Sequence, residues 1–158
     1  MDLRFDVVVA LPFGGLAARL AEGMVAEMLY VPKSIRPQAG RTPLGRELAR
    51  QVRAYLADPR FRFDLPLAER GSAFQRRVWD AIAGIPSGST CTYGDIARAL
   101  RSGPRAVGQA CGANWFSLVI PCHRVLAASG LGGFGHHDDD GSYVAIKRWL
   151  LRHEGVLA

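Results

Sequence analysis

Residue types suited to nucleophilic chemistry gather late in the chain. Cys122 and His123 are adjacent in Ile120-Pro121-Cys122-His123-Arg124-Val125, and Glu154 follows in His153-Glu154-Gly155. A thiol is a weak nucleophile until it loses its proton. An imidazole can accept that proton, and a carboxylate can hold the imidazole in the tautomer that does so. Side chains adjacent in sequence rarely face each other well, so a water is expected to link Cys122 to His123. Cationic surroundings, with Arg124 next in the chain, would favour the thiolate. The competing reading is structural, because a cysteine is most often a small buried hydrophobe. Spacing alone leaves both open.

The three cysteines are Cys91, Cys111 and Cys122. Their odd number argues against a disulfide framework, and no two are spaced as half of a zinc site. A second cluster of ligand-type residues is His136-His137-Asp138-Asp139-Asp140. Adjacent ligands seldom converge on one ion without further partners. The segment therefore reads as a solvated loop turned away from any polyanion, and no metal and no cofactor are expected.

The elements that must position Cys122 follow from periodicity. Arg4 to Ala10 is a β-branched run, Pro12 to Gly15 and Glu22-Gly23 are turns, and Met24 to Val31 is a further apolar run. Short strands joined by tight turns predict an antiparallel meander. Leu44, Leu48, Val52, Tyr55 and Leu56 recur at helical spacing until Asp58-Pro59 stops them. Residues 60–71 read as a strand or an extended linker, and the boundary between two domains, 1–67 and 71–158, falls there.

Beyond Gly71 the pattern becomes helical. Ser72 is a good N-cap for a helix bearing Phe74, Val78, Trp79 and Ile82. Tyr93 to Leu100 and Arg105 to Ala113 are two short helices across Ser102-Gly103-Pro104, with Pro104 at the first position of the second. Together they form a helix-turn-helix pattern. Leu118-Val119-Ile120 is expected as a short buried strand leading to Pro121. Trp115 is expected to pack in the core. A last helix runs from about Tyr143 to His153 and closes at Gly155.

Composition sets outer limits. The chain has 158 residues, 49% of them hydrophobic and 22% charged, which fits one domain or two small ones sharing a core. The net charge of +6 comes mostly from arginine and makes a polyanion a reasonable partner. No apolar run approaches the ~18 residues needed to span a bilayer. Met1-Asp2-Leu3-Arg4 does not read as a signal peptide. A cytoplasmic protein with no membrane association is the expectation.

The ordered motifs of the second half are long and specific. They are Phe74-Gln75 with Val78-Trp79, Ile85-Pro86 with Gly88 and Thr90, and Thr92-Tyr93-Gly94 with Ile96-Ala97. Arg105-Ala106-Val107-Gly108 with Ala110, Asn114, the Ile120–Val125 segment, and Lys147 with Trp149-Leu150-Leu151 and Glu154-Gly155 complete the series. This pattern, over residues 71–155, resembles the O6-alkylguanine-DNA alkyltransferases. Residues 1–67 are similar to that family only in layout.

The resemblance implies an α+β protein. An N-terminal antiparallel β-sheet with a helix, RNase H-like, would precede an all-α, winged or helix-turn-helix C-terminal domain carrying the active site. It implies a methylated-DNA–protein-cysteine S-methyltransferase, a repair protein that flips O6-alkylguanine from duplex DNA and takes the alkyl group irreversibly, once. Cys122 would be the acceptor, His123 would take its proton through water, and Glu154 would hold the His123 tautomer. Asn114 would tie the recognition helix to the active-site turn. Tyr93, the Val125 backbone, Phe134 and the Gly135 backbone would receive the base. Arg105 would fill the gap left by the flipped nucleotide. Thr92, Ala106, Gly108 and Gln109 would meet DNA, with small residues allowing a minor-groove approach. The partner implied is double-stranded DNA, bound by a monomer without a cofactor.

The sequence departs from the family at three places. Gly103-Pro104 replaces a small pair in a shortened turn, Trp115-Phe116 follows Asn114 where proline is common, and Phe134 stands for a tyrosine in a loop extended over 135–141. The alternatives from other classes are a non-catalytic protein that binds alkylguanine, a helix-turn-helix regulator and a cysteine hydrolase. The presence of Cys122 argues against the first. The small residues of 105–113 argue against the second, which would present long polar side chains to the major groove. The third would require turnover.

Overall fold

The computed structural model describes residues 4–132 and 142–158. Two compact units divide the chain: Met1–Glu69 with Trp115–Ser117, and Arg70–Asn114 with Leu118–Ala158.

The first unit is built on a three-stranded antiparallel sheet in the order β1 (Val7–Leu11), β2 (Gly14–Ala21), β3 (Met24–Val31). The loop Glu22-Gly23 holds both residues at positive φ, 54° and 76°. That is the two-residue hairpin geometry matching the right-handed twist of the strands. Gly14, at φ 153°, lies so close to β3 that a Cβ would stand 2.4 Å from the Val31 carbonyl oxygen. Only glycine can start β2 there.

Helix α1 (Pro43–Ala57) begins where Thr42 Oγ1 accepts the Gly45 amide at 3.0 Å. Such a cap contributes about 1 kcal/mol. Its buried stripe of Leu48, Val52 and Tyr55 meets a core containing Val7, Val9, Leu16 and Val25. Residues beyond Asp58 run extended. The buried Gln51 carboxamide pins them, donating to the Asp64 carbonyl and accepting from the Asp64 amide, each at 2.9 Å. Leu67 makes a single parallel bridge with Val25. The segment is thus an extended linker with one ladder contact.

Trp115–Ser117 joins this unit as a short parallel companion of β3. The Met28 amide donates to the Trp115 carbonyl at 2.9 Å and the Ser117 amide to the Met28 carbonyl at 3.1 Å. Alternation along an extended segment then buries Phe116, 2% exposed, and turns Trp115 outward, 40% exposed. The expectation that Trp115 packs in the core is corrected by this pairing.

The second unit contains α2 (Ala73–Ala83), α3 (Tyr93–Leu100), α4 (Pro104–Gly112) and α5 (Ser142–His153). Ser72 and Gln75 form a capping box at the start of α2, and Thr92 and Asp95 form one at the start of α3. The turn between α3 and α4 passes through Arg101 in the left-handed region, φ 54°. Gly103 and Pro104 then open α4 without a side-chain cap. Trp79, on α2, donates from Nε1 to the Ala110 carbonyl at 2.9 Å, fixing α4 against α2. Val78, Ile82, Ile96, Val107, Val125, Leu150 and Leu151 fill the core.

Two short strands, β4 (Cys91–Thr92) and β5 (Val125–Leu126), pair in parallel within this unit. Strands of two residues carry no periodicity, so sequence reasoning missed them. The Leu118–Ile120 run, expected as a strand, turns at Leu118-Val119, with Leu118 at φ 75°, and keeps only a single bridge residue at Ile120. Leu118 and Ile120 are buried all the same. No helix among the described residues is long and apolar enough to cross a membrane.

Candidate active site

Pro121 leads into a single 3₁₀ turn, Cys122–Arg124, which runs directly into β5. The pairing of Val125 with Cys91 and of Leu126 with Thr92 anchors the end of that turn. Asn114, just past the end of α4, anchors its beginning. Its Nδ2 donates to the Ile120 carbonyl at 2.9 Å and approaches Cys122 Sγ at 3.4 Å. The structure thus brings Asn114 and Cys122 together, joining the helix of the helix-turn-helix pair to the thiol. The Cys122 residue is 4% exposed.

His123 and Glu154 meet in the interior. His123 Nε2 lies 2.7 Å from Glu154 Oε2, and neither side chain reaches solvent. A carboxylate oxygen accepts here, so Nε2 carries the proton and Nδ1 keeps its lone pair. Nδ1 hydrogen-bonds no other described residue. Burial pushes the His123 imidazole below its usual 6.5, against the opposing pull of Glu154. His123 is therefore neutral around pH 7 and equipped to accept a proton at Nδ1.

Arg124 does not serve the thiol. Its guanidinium turns to Glu154, with Nε 2.8 Å from Oε1 and Nη2 3.0 Å from Oε2, while Nη1 donates to the Ile85 carbonyl at 2.6 Å. A paired, hydrogen-bonded guanidinium offsets the cost of the buried carboxylate.

The cation near the thiol is Lys147. Its side chain is fully buried on α5, and Nζ donates to the Val125 carbonyl at 2.7 Å and lies 5.8 Å from the centre of the Tyr93 ring. Burial lowers its pKa from 10.5 to about 8, with the Cys111 and Cys122 sulfurs opposing. The Cys122 thiol itself is pushed up. The hydrogen bond with Cys111 and burial outweigh the Asn114 amide and the Lys147 charge. Cationic surroundings do not make Cys122 a resting thiolate; it rests protonated and needs a base.

The remaining expected residues fall into groups. Tyr93 opens α3 and is half-buried, next to Gly132, whose Cβ would stand 3.2 Å from the Tyr93 ring. Thr92 is occupied as the α3 cap, Oγ1 accepting the Asp95 amide at 3.0 Å. Val125 uses both backbone groups, the N–H to the Cys122 carbonyl and the C=O to Lys147. Arg105, Ala106 and Gln109 are exposed on α4, and Gly108 beside them has nothing within 4 Å of a Cβ position. Phe134, Gly135 and the His136–Asp140 cluster lie outside the described residues. No three metal-ligating side chains converge among the described residues.

Sequence reasoning gave Lys147 and Cys111 no role. Both signals were present. Lys147 interrupts an apolar stripe that includes Val144 and Leu151, and Cys111 continues the buried stripe of Val107 and Ala110. A charge in such a stripe demands a partner inside.

A family model described as the DNA binding domain of 6-O-methylguanine DNA methyltransferase matches residues 73–156. A methylated-DNA–protein-cysteine methyltransferase of Archaeoglobus fulgidus is 41% identical over 110 residues, 70% of this chain and 75% of the relative. The constitutive methylated-DNA–protein-cysteine methyltransferase of Bacillus subtilis is 41% identical over 118 residues, 73% of this chain and 68% of the relative. The crystal structure of the Mycobacterium tuberculosis O6-methylguanine methyltransferase matches with a TM-score of 0.77 at 32% identity, covering 96% of this chain and 92% of that one. A crystal structure of the Mycobacterium tuberculosis protein in complex with DNA matches with a TM-score of 0.78 at 32% identity, covering 94% and 92%.

Proposed function

The chain belongs to the 6-O-methylguanine DNA methyltransferase family, and from that membership we propose that it repairs DNA by moving an alkyl group from guanine O6 onto Cys122 Sγ. The reaction class follows from the family; the assignment of residues rests on the site. The observation that carries it is a buried Glu154–His123 pair, 2.7 Å apart, whose histidine lies in the same short turn as a thiol held by Asn114.

The target oxygen is inside the duplex, so the nucleotide must leave the stack first. Arg105 and the small exposed residues of α4 support an approach along the minor groove, with Arg105 taking the vacated space. Thr92, Ala106, Gly108 and Gln109 would lie along the DNA. Tyr93, with Gly132 beside its ring, would border the base. The Val125 carbonyl keeps a lone pair for the base.

The thiol proton passes through water to His123 Nδ1, and Glu154 stabilises the imidazolium that forms. Lys147 supplies positive charge beside the developing thiolate. Sulfur attacks the alkyl carbon in line as the bond from carbon to O6 breaks, and guanine leaves with its electron pair. The product is a thioether, which no side chain present can cleave, so each molecule reacts once. The protein would act as a monomer, and its unpaired thiols fit a reducing compartment such as the cytoplasm.

The test is intact mass after incubation with an O6-methylguanine oligonucleotide, followed by peptide mapping. One methyl group per molecule, on the Cys122 peptide and absent in Cys122→Ala, is expected. Methylation at Cys91 or Cys111, or several turnovers per molecule, would overturn the assignment.

A further inference from the structure

The turn between α3 and α4 holds an arginine where glycine is usual. The Arg101 N–H donates to the Arg98 carbonyl at 3.3 Å, and the Ser102 N–H donates to the Ala97 carbonyl at 2.8 Å. Two such bonds close a helix end around a residue in the left-handed conformation, most often glycine. Arg101 takes that place, at φ 54° and ψ 49°. A side chain is disfavoured there because its Cβ crowds the following carbonyl oxygen. Among the described residues other than glycine, only Glu22 and Leu118 share a positive φ; Glu22 belongs to a hairpin turn and Leu118 is buried. Arg101 is exposed, so packing does not account for it. Neither does pairing. Arg98 is held by Asp95, and Arg77 Nη2 donates to the Leu100 carbonyl at 3.3 Å. The Arg101 and Arg105 guanidiniums are exposed, and neither has a hydrogen bond or ion pair with another described residue. No acidic residue occurs from Ile96 to His137. Four residues of chain span at most about 14 Å, so two unpaired cations stand close together across one pinned turn.

We propose that Arg101 grips a backbone phosphate of the DNA beside the nucleotide that Arg105 displaces. A conformation that disfavours a side chain, kept at an exposed position with nothing inside the protein to compensate it, is a mark of function. A guanidinium on a pinned backbone loses little freedom when it meets a phosphate, and it offers that group paired N–H donors. Arg105 and Arg101 then divide the work. Arg105 occupies the space left by the base, and Arg101 holds the strand that has been opened. A phosphate contact fixes position without reading sequence, which suits a protein that must act on a lesion in any surrounding sequence. The role rests on the proposed function only in taking duplex DNA as the partner; the alkyl-transfer chemistry does not enter it.

The experiment measures binding of the full chain to a duplex containing O6-methylguanine, by fluorescence anisotropy over a range of salt. All proteins carry Cys122→Ala, so that no transfer intervenes. Arg101→Gly, Arg101→Lys and Arg152→Ala are each compared with that background. One phosphate contact contributes about 0.9 to the slope of log affinity against log salt. Arg101→Gly should flatten the slope by that amount, weakening binding roughly eightfold at about 0.1 M salt and roughly twofold at about 0.5 M. Arg101→Lys keeps the charge and should keep most of the slope. Arg152 is exposed on the last turn of α5, and its removal should leave the slope alone. The melting temperature of Arg101→Gly should hold or rise, because glycine accepts the left-handed conformation freely. An unchanged slope in Arg101→Gly, a loss equal at every salt, a lysine variant as weak as the glycine one, or an equal loss in Arg152→Ala would each overturn the contact. A melting temperature several degrees lower would make Arg101 a structural residue and would also overturn it. If the protein with Cys122 intact transfers no alkyl group while Arg101→Gly still flattens the slope, the proposed chemistry fails and the phosphate contact stands.

Discussion

Arg124 grips Glu154 at both carboxylate oxygens, at 2.8 and 3.0 Å, so the cation that follows Cys122-His123 in sequence serves the carboxylate rather than the thiol. The result is a buried chain, Arg124 to Glu154 to His123, that ends in one unprotonated imidazole nitrogen. Charge is balanced two residues from the nucleophile while the nucleophile itself stays neutral. That arrangement couples deprotonation of Cys122 to the arrival of an alkyl group instead of keeping a reactive thiolate at rest.

Glu154→Gln should slow single-turnover transfer by about 100-fold, within the range of general-base effects. It should also lower the melting temperature, because Arg124 would be left without its counter-charge in a largely buried place. Rates with O6-benzylguanine, measured well below the melting temperature, separate the two effects. A full rate in the folded variant would remove Glu154 from the proton path.

Acid should affect stability and rate in a specific window. His123 titrates below 6.5 in the folded protein because of burial, and near 6.5 when unfolded. Above 6.5 both states are neutral and the contribution of buried His123 is intact. As pH falls below 6.5 the unfolded chain takes up a proton that the folded one refuses, so stability declines until the folded pKa is passed. The transfer rate should stay level through 6.5 and fall only below it. Melting curves and single-turnover rates across pH 5 to 8 would show this, and an acid limb centred at or above 6.5 would contradict it.

Arg105→Ala should weaken repair of O6-methylguanine in duplex DNA far more than reaction with free O6-benzylguanine. Arg105 is exposed on α4, away from the buried hydrogen bonds of the turn, so its removal should spare the chemistry. Parallel rate measurements on the two substrates decide this. Equal losses would deny Arg105 a part in nucleotide flipping.

Gly108→Leu should leave the fold intact while reducing affinity for DNA. A Cβ at Gly108 meets nothing within 4 Å, and leucine suits a helix better than glycine by about 0.8 kcal/mol. The melting temperature should hold or rise, and reaction with free O6-benzylguanine should persist. Binding to duplex DNA, followed by fluorescence anisotropy at fixed salt, should fall because close approach is blocked. Unchanged binding would place α4 away from the groove.

Local rules made much of this molecule legible in one dimension. Hairpin turns, the Ser72 cap, helical stripes and the Cys122-His123 dipeptide depend on neighbours within a few residues, and the sequence states those neighbours directly. The family motifs extended that reading to Asn114 and Glu154. Folding decided what depends on distant partners. Trp115 faces out because β3 captures Phe116, Leu118-Val119 turns instead of extending, and β4 and β5 pair across a gap no periodicity marks. Arg124 chooses Glu154 over the thiol, Lys147 finds the Val125 carbonyl, and Asn114 reaches the Ile120 carbonyl and Cys122. Each of these is settled by desolvation: a buried charge or polar atom must take whichever partner the packed interior brings within hydrogen-bonding reach, and only the assembled chain determines which partner that is.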